Sequence, residues 1–282
     1  MTEPLGGLRR TLPLAFVAIV AVGTLVGIRL DLGPGAGPAP AATSLHADLA
    51  ELGRGRVLVG FDADIGTYAE IRPAVRAALA QLVRGGATIS MVSYTPEGRA
   101  LALAELDRLR RGGVEPGRLL DLGFHAGAEA GLVAGVSSIV PREADGALAA
   151  ALRDAGAGIG AFDAVLVVGG NDLGPRSWVE QVATRLPEVA IFGIVPTSLL
   201  PQAVPYRASG QLAGLVAGAR EVAAYVAAVR DDPTTGAVQG AAQVTDEPPS
   251  SLPVLVGLLL TLVLLAEAIA SRWRAPARGG AA

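Results

Sequence analysis

Cysteine is absent from this chain, and so is lysine: all 23 basic residues are arginine. Without cysteine there is no disulfide, no thiolate metal site and no cysteine nucleophile. That absence is compatible with an oxidising compartment without requiring one. Aromatic residues are scarce, at 4%, and only two histidines occur, His46 and His125. Net positive charge is missing as well. Residues 30–251 hold 17 arginines against 24 Asp plus Glu, a balance of −7. This argues against nucleic acid or an anionic lipid surface as a partner. The arginine-only usage, with abundant Ala and 37 Gly, reflects a GC-rich bacterial genome rather than a physical demand.

Two long apolar runs stand at the ends. Residues 11–28 lie between Arg10 and Arg29, and residues 252–270 precede Arg272 and Arg274. Each is long enough to cross about 30 Å of hydrocarbon as a helix. Arginine is concentrated in tails 1–10 and 271–282 and absent from the inner flanks 30–45 and 236–251. The positive-inside rule then places both termini in the cytoplasm and the bulk of the chain outside it. The alternative for the first run is a cleaved signal peptide. Its apolar stretch is longer than the usual 7–15 residues, and Arg29 and Asp31 separate it from the small residues Ala39, Ala41 and Ala42. Glu267, inside the second run, is close enough to Arg272 and Arg274 to snorkel with them.

The sequence divides accordingly: linker 29–45, domain 46–230 and linker 231–251, the linkers rich in Gly, Pro and Ala. About 185 residues suffice for one core. Strands are expected at 56–61, 88–93, 118–124, 163–168 and 189–195, each a short apolar run. Helices are expected at 67–84, 96–111, 175–186 and 209–229, where apolar residues recur at three to four. Alternation of this kind predicts a three-layer α/β domain with about five mostly parallel strands, Rossmann-like or flavodoxin-like.

In such sheets ligands bind beyond the carboxyl ends of the strands. The first turn holds Asp62 and Asp64, two nearby carboxylates that can split their pKa values for acid–base work or share an ion. The plainer reading is that Asp64 caps the next helix and Asp62 is solvated. A hard-cation site completed by Asp172 is a weak signal, because no set ligand spacing accompanies it, and no metal is expected. His125 follows the third strand as a ligand contact or an ordinary surface histidine. No nucleophile elbow is present.

Gly123, Gly127, Gly131 and Gly135 recur every four residues, as do Gly210, Gly214 and Gly218. On helices these would form smooth stripes for close helix packing. The other reading applies to residues 122–131 (LGFHAGAEAG), where a glycine turn at a helix mouth can hold an anion on free amides, with Gly127 and Glu129 at the site. Gly169-Gly170-Asn171-Asp172 is a similar turn. Neither matches a dinucleotide fingerprint or a P-loop. Arg207 and Gln211, just past the fifth strand, are expected at the same rim, Arg207 pairing with a carboxylate or an anionic ligand.

Residues 122–131, 178–181 (WVEQ) and 205–225 (PYRASGQLAGLVAGAREVAAY) resemble a family of bacterial membrane proteins without an assigned function. The resemblance implies an N-terminal span, an extracytoplasmic α/β domain and a C-terminal span. It covers most of residues 56–230, and Ser209-Gly210-Gln211-Leu212 is its most specific part. The family's Pro-Gly-Gly-Glu stands here as Ala126-Gly127-Ala128-Glu129, which weakens a strict glycine-loop role. Two functions are expected. The first is a membrane-anchored extracytoplasmic binding or assembly module, engaging a protein partner, a second copy or a small envelope ligand; its cofactor is unknown. The alternative is an envelope enzyme acting on a cell-wall sugar or phosphoester, with Asp62 or Asp64 as base, His125 as acid and Arg207 as anion clamp.

Overall fold

The apolar strand runs do become buried strands. A computed structural model describes residues 39–170 and 173–232. The two apolar spans, both tails, linker residues 233–251, Asn171, Asp172 and Glu267 lie outside the described residues. Six strands form one sheet: β1 (Arg56–Asp62), β2 (Thr88–Ser93), β3 (Leu119–Phe124), β4 (Ala164–Gly169), β5 (Ala190–Val195) and β6 (Gly214–Ala217). Their order is β3-β2-β1-β4-β5-β6, and every neighbouring pair is parallel. Runs such as Val57–Val59 and Val165–Val168 are apolar throughout, because helices cover both faces.

Among the described residues eight helices complete the three layers: α1 (Pro40–Glu51), α2 (Ile65–Gly85), α3 (Pro96–Arg111), α4 (Glu129–Ser137), α5 (Ala147–Asp154), α6 (Pro175–Trp178), α7 (Leu200–Ala208) and α8 (Gly218–Asp231). A π-helical turn, Val179–Ala183, extends α6. One core joins α1, α2, α3 and α8 to the sheet. The other joins α4 to α7 to its opposite face. The sheet is thus doubly wound and Rossmann-like, with its reversal point between β1 and β4. The flavodoxin-like alternative fails on strand order, and the count is six strands rather than five.

Helix starts follow local chemistry. Asp64 caps α2, accepting from Thr67 N at 2.8 Å and Thr67 Oγ1 at 2.6 Å. Thr95 caps α3 through Gly98 N at 3.1 Å, with Pro96 in the first turn. Among the described residues no helix is long and apolar enough to cross a membrane.

Three sequence expectations change. The first linker does not reach residue 45: α1 starts at Pro40, and Ala42, Leu45 and Leu49, spaced at three and four, are buried in the core. Residues 209–229 are not one helix. Gly210 and Gly218 take positive φ, 79° and 76°, and the apolar Gly214–Ala217 run between them pairs with β5 as β6. Gly210, Gly214 and Gly218 therefore mark a turn, a strand start and a strand–helix junction, and no stripe exists. The first stripe also breaks up. Gly123 lies within β3, one residue before its end, and Gly127 lies in a turn at φ 100°. Gly131 and Gly135 share α4, but they seat a side chain of the domain itself. A Cβ on Gly131 would lie 3.2 Å from Tyr94 Cδ1, and one on Gly135 would lie 2.7 Å from the Tyr94 hydroxyl.

The described chain starts and ends side by side. His46, two turns into α1, pairs with Asp232 just past α8, Nε2 to Oδ2 3.2 Å. At 1.5 Å per residue, residue 39 is only about 10 Å along α1 from that contact.

Candidate functional site

Asp62 is the last residue of β1, in register with Gly169 of β4 at the reversal point. It is not solvated; its exposure is 0%. Oδ1 accepts from Tyr94 N at 2.7 Å and Ser93 Oγ at 3.2 Å. Burial pushes its pKa up to about 6, against the lowering effects of Tyr94 N–H, Ser93 and the Trp178 indole N–H. The indole faces the carboxylate without closing a bond of ordinary geometry. Asp62 Oδ2, Trp178 Nε1 and the Tyr94 hydroxyl all lack a hydrogen-bond partner among the described residues. Three unsatisfied polar atoms on neighbouring buried side chains are uncommon, and each one is costly.

The walls around this carboxylate are aromatic. The Tyr94 and Trp178 rings meet edge to face, with centroids 5.9 Å apart and planes at 71°. Tyr94 also packs against His125 at 5.8 Å, and burial raises its hydroxyl pKa, with a smaller push from the Asp62 charge. Trp178 lies directly on β1: a Cβ on Gly60 would be 2.3 Å from its Cζ2. Glycine inside a strand marks such a close approach. Gly60→Ala is expected to cost at least about 1–3 kcal/mol by overpacking, read as a lower thermal midpoint with a shifted Trp178 emission; an unchanged midpoint would refute the contact.

The outer part of the site is β3's free edge. There a cavity of about 490 Å³ is lined by Leu122, Phe124, His125, Ile139, Val140 and Arg142, among others. His125 Nε2 lies 3.1 Å from Leu122 O. A carbonyl only accepts, so Nε2 carries the proton and a neutral His125 keeps Nδ1 as a free acceptor. His125 N donates to Ser93 O at 2.9 Å. One β2 exit turn thus ties His125 to Asp62, with Tyr94 between the two.

Other expected residues fall elsewhere. Asp64 is a helix cap, and its pKa is lowered by its Thr67 hydrogen bonds, which outweigh desolvation. Glu129, in the first turn of α4, accepts from Ser177 Oγ at 2.9 Å. The amides of Ala130, Gly131 and Leu132 already bond to Gly127 O and Ala128 O, so these three are not free to hold an anion, and the Glu129 carboxylate stands beside them. Ala128 itself takes φ 50° and ψ −120°, a conformation suited to glycine. Arg207 and Gln211 are not at the rim. α7 runs back from the carboxyl end of β5 to the amino end of β6, and Arg207 lies in its last turn, reaching Ser44 Oγ at 3.4 Å. Gln211 accepts from Ser209 Oγ at 2.9 Å in the turn that follows. Among the described residues no group of three His, Asp or Glu is placed to hold a metal.

No known protein family, curated protein or solved structure matches this chain. The site therefore rests on its own geometry. Sequence reasoning set Asp62, Ser93, Tyr94 and His125 on one rim as candidates, but it did not foresee the hydrogen bonds that join them, the burial of Asp62 or Trp178 as the cover. A glycine in the middle of the RVLVGF strand was the available signal.

Proposed function

We propose that this chain is a membrane-anchored, extracytoplasmic binding module of the bacterial envelope, and that its ligand sits at the carboxyl rim over β1, β2 and β3. The two apolar spans and their flanking arginines support the anchor. Adjacent ends of the folded part suit a domain held by both. The observation that carries the binding reading is Asp62, fully buried at the strand-order reversal with one carboxylate oxygen unsatisfied.

The ligand's chemistry follows from its surroundings. Asp62, Asp64, Glu70, Glu129 and Glu221 all stand at helix starts or strand ends on this rim, and Glu70 and Glu221 already accept from Thr197 and from Ala217 N. Such a rim disfavours phosphate. The α2 start, where a dinucleotide would place its pyrophosphate, is capped by Asp64. A neutral or cationic ligand that donates hydrogen bonds fits instead. An assembly role loses the glycine stripes as its support. The enzyme reading loses its clamp, since Arg207 stands at the opposite end of the sheet.

Native mass spectrometry of the full-length protein released from detergent tests this. A reproducible extra mass on wild type, lost in Asp62→Asn, is expected. A bare wild-type protein, or an adduct that survives the substitution, would refute it.

A further inference from the structure

We infer that the cavity at β3's free edge is a subsite for an uncharged, N-acetylated sugar ring: the ring lies on Phe124, and its acetamido group donates to His125 Nδ1 and sets its methyl against the apolar wall. As the ligand class of the rim site, this rests on the binding reading above.

Charge at the cavity selects a neutral ligand. Arg142 and Glu143 are adjacent on its lining, and both are exposed. A cation meets the first and an anion the second, whereas hydroxyl groups, which donate and accept, suit both. The third charge on the lining is already committed. Asp121 accepts from Arg99 Nη2 at 2.7 Å and from Gly123 N at 2.9 Å. The loop that carries Arg142 and Glu143 is fixed from α5, where Arg153 Nη1 donates to Ala144 O at 2.7 Å. A volume of about 490 Å³ lies in the range of about 300–1,000 Å³ that small-molecule sites occupy.

The ring and its acetamido group follow from three side-chain types. Phe124 is 46% exposed, the one aromatic among the large apolar side chains left open on the described residues. A pyranose has one face of C–H bonds that can lie on the negative face of such a ring. His125 supplies the acceptor, and it is held in place beforehand. Its N donates to Ser93 O at 2.9 Å, its Nε2 donates to Leu122 O at 3.1 Å, and its ring packs on Tyr94. Nδ1 is thus aimed before the ligand arrives, which lowers the ordering cost of binding. Leu122, Ile139 and Val140 line the same cavity and are buried. A donor and a methyl a few ångströms apart match this acceptor and wall, and an acetamido group carries both.

The experiment is saturation-transfer NMR on the full-length protein in a detergent without a sugar headgroup. N-acetylglucosamine and N-acetylgalactosamine are the probes, each alone. At least one should bind with a Kd of about 1 mM or tighter, the scale for a ligand of this size, with the strongest transfer at its acetyl methyl. Glucose should bind about fourfold more weakly or worse, the worth of one buried methyl. Phe124→Ala should weaken the acetylated sugar roughly tenfold, and Phe124→Tyr should restore it. His125→Phe keeps a ring against Tyr94 but removes the acceptor, and it should also cost roughly tenfold. Phe124 is exposed, so its variants serve as the test if His125→Phe does not fold. No transfer to either acetylated sugar, glucose bound equally well, or an affinity unmoved by Phe124→Ala would overturn the subsite. A mass retained in native spectrometry and lost in Asp62→Asn, but without an N-acetylhexosamine unit on fragmentation, would remove the sugar and keep the binding reading. Sugar binding as expected by a protein that leaves detergent bare would keep the subsite and sink the Asp62-anchored reading.

Discussion

Glu105→Ala is expected to lower the folding stability by about 3–5 kcal/mol, the cost of breaking a buried ion pair from one side. Glu105 lies on α3 with 1% exposure. Its Oε1 accepts from the Tyr68 hydroxyl and from Arg76 Nε, both at 2.9 Å, and its Oε2 accepts from Arg108 Nε. One carboxylate thus joins α2 to α3 and compensates two guanidinium groups. Burial alone would raise its pKa, but Arg108 and Arg76 outweigh it and hold the carboxyl below the usual glutamate range. Alanine would leave a cavity, a buried phenol and Arg108, whose Nη1 and Nη2 already lack partners among the described residues. Because the folded pKa is depressed, this stabilisation is full above the ordinary glutamate pKa and is lost as pH falls through the folded value. Urea unfolding of both proteins at pH 7 reads the difference in midpoint, with the slope unchanged. A loss below about 1 kcal/mol, the range of an exposed pair, would mean that water compensates the arginines and that the cluster is not structural.

What could be read from the sequence follows what each residue's neighbours in the chain reveal. Five strands were legible because a strand buried on both faces is a continuous apolar run, and the cap at Asp64 follows a short local rule. β6 was not legible. It is four residues long, and glycines at every fourth position imitate a helical period, whereas the positive φ of Gly210 and Gly218 leaves no mark in the sequence beyond the residue type. That single miss displaced Arg207 and Gln211 end for end: without β6, the stretch after β5 reads as rim, although it is the descending crossover to the next strand. The site was half legible. Position on β1 placed Asp62 at the rim, but its burial depends on Trp178, 116 positions later, and on Tyr94 fitting beneath Gly131 and Gly135. Contacts of that range arise from packing, which no local pattern encodes.

Folding stability between pH 4 and 6 should run opposite to acid denaturation, and Asp62 is the reason. Its folded pKa is raised from 3.8 to about 6. Below pH 4 the carboxyl is neutral in both the folded and unfolded chain, and its burial is tolerated. As pH rises, the unfolded chain ionises first while the folded chain keeps its proton, so the stability contributed by the neutral form is lost progressively until pH 6. The pKa difference of about two units corresponds to about 3 kcal/mol. Asp64, Glu105, Asp121 and Asp163 all have lowered pKa values, so their losses fall at more acidic pH and leave this window largely to Asp62. Wild type should therefore be more stable at pH 4.5 than at pH 6.5 in denaturant melts at fixed ionic strength. Asp62→Asn, which cannot ionise, should remove that slope and leave the acid limb intact. Its amide can still accept from Tyr94 N through oxygen, so a folded variant is expected. A wild-type profile that rises smoothly from pH 4 to 7, or a slope that Asp62→Asn retains, would mean that the carboxylate is solvated in the native protein, and the buried-anchor role of Asp62 would fall.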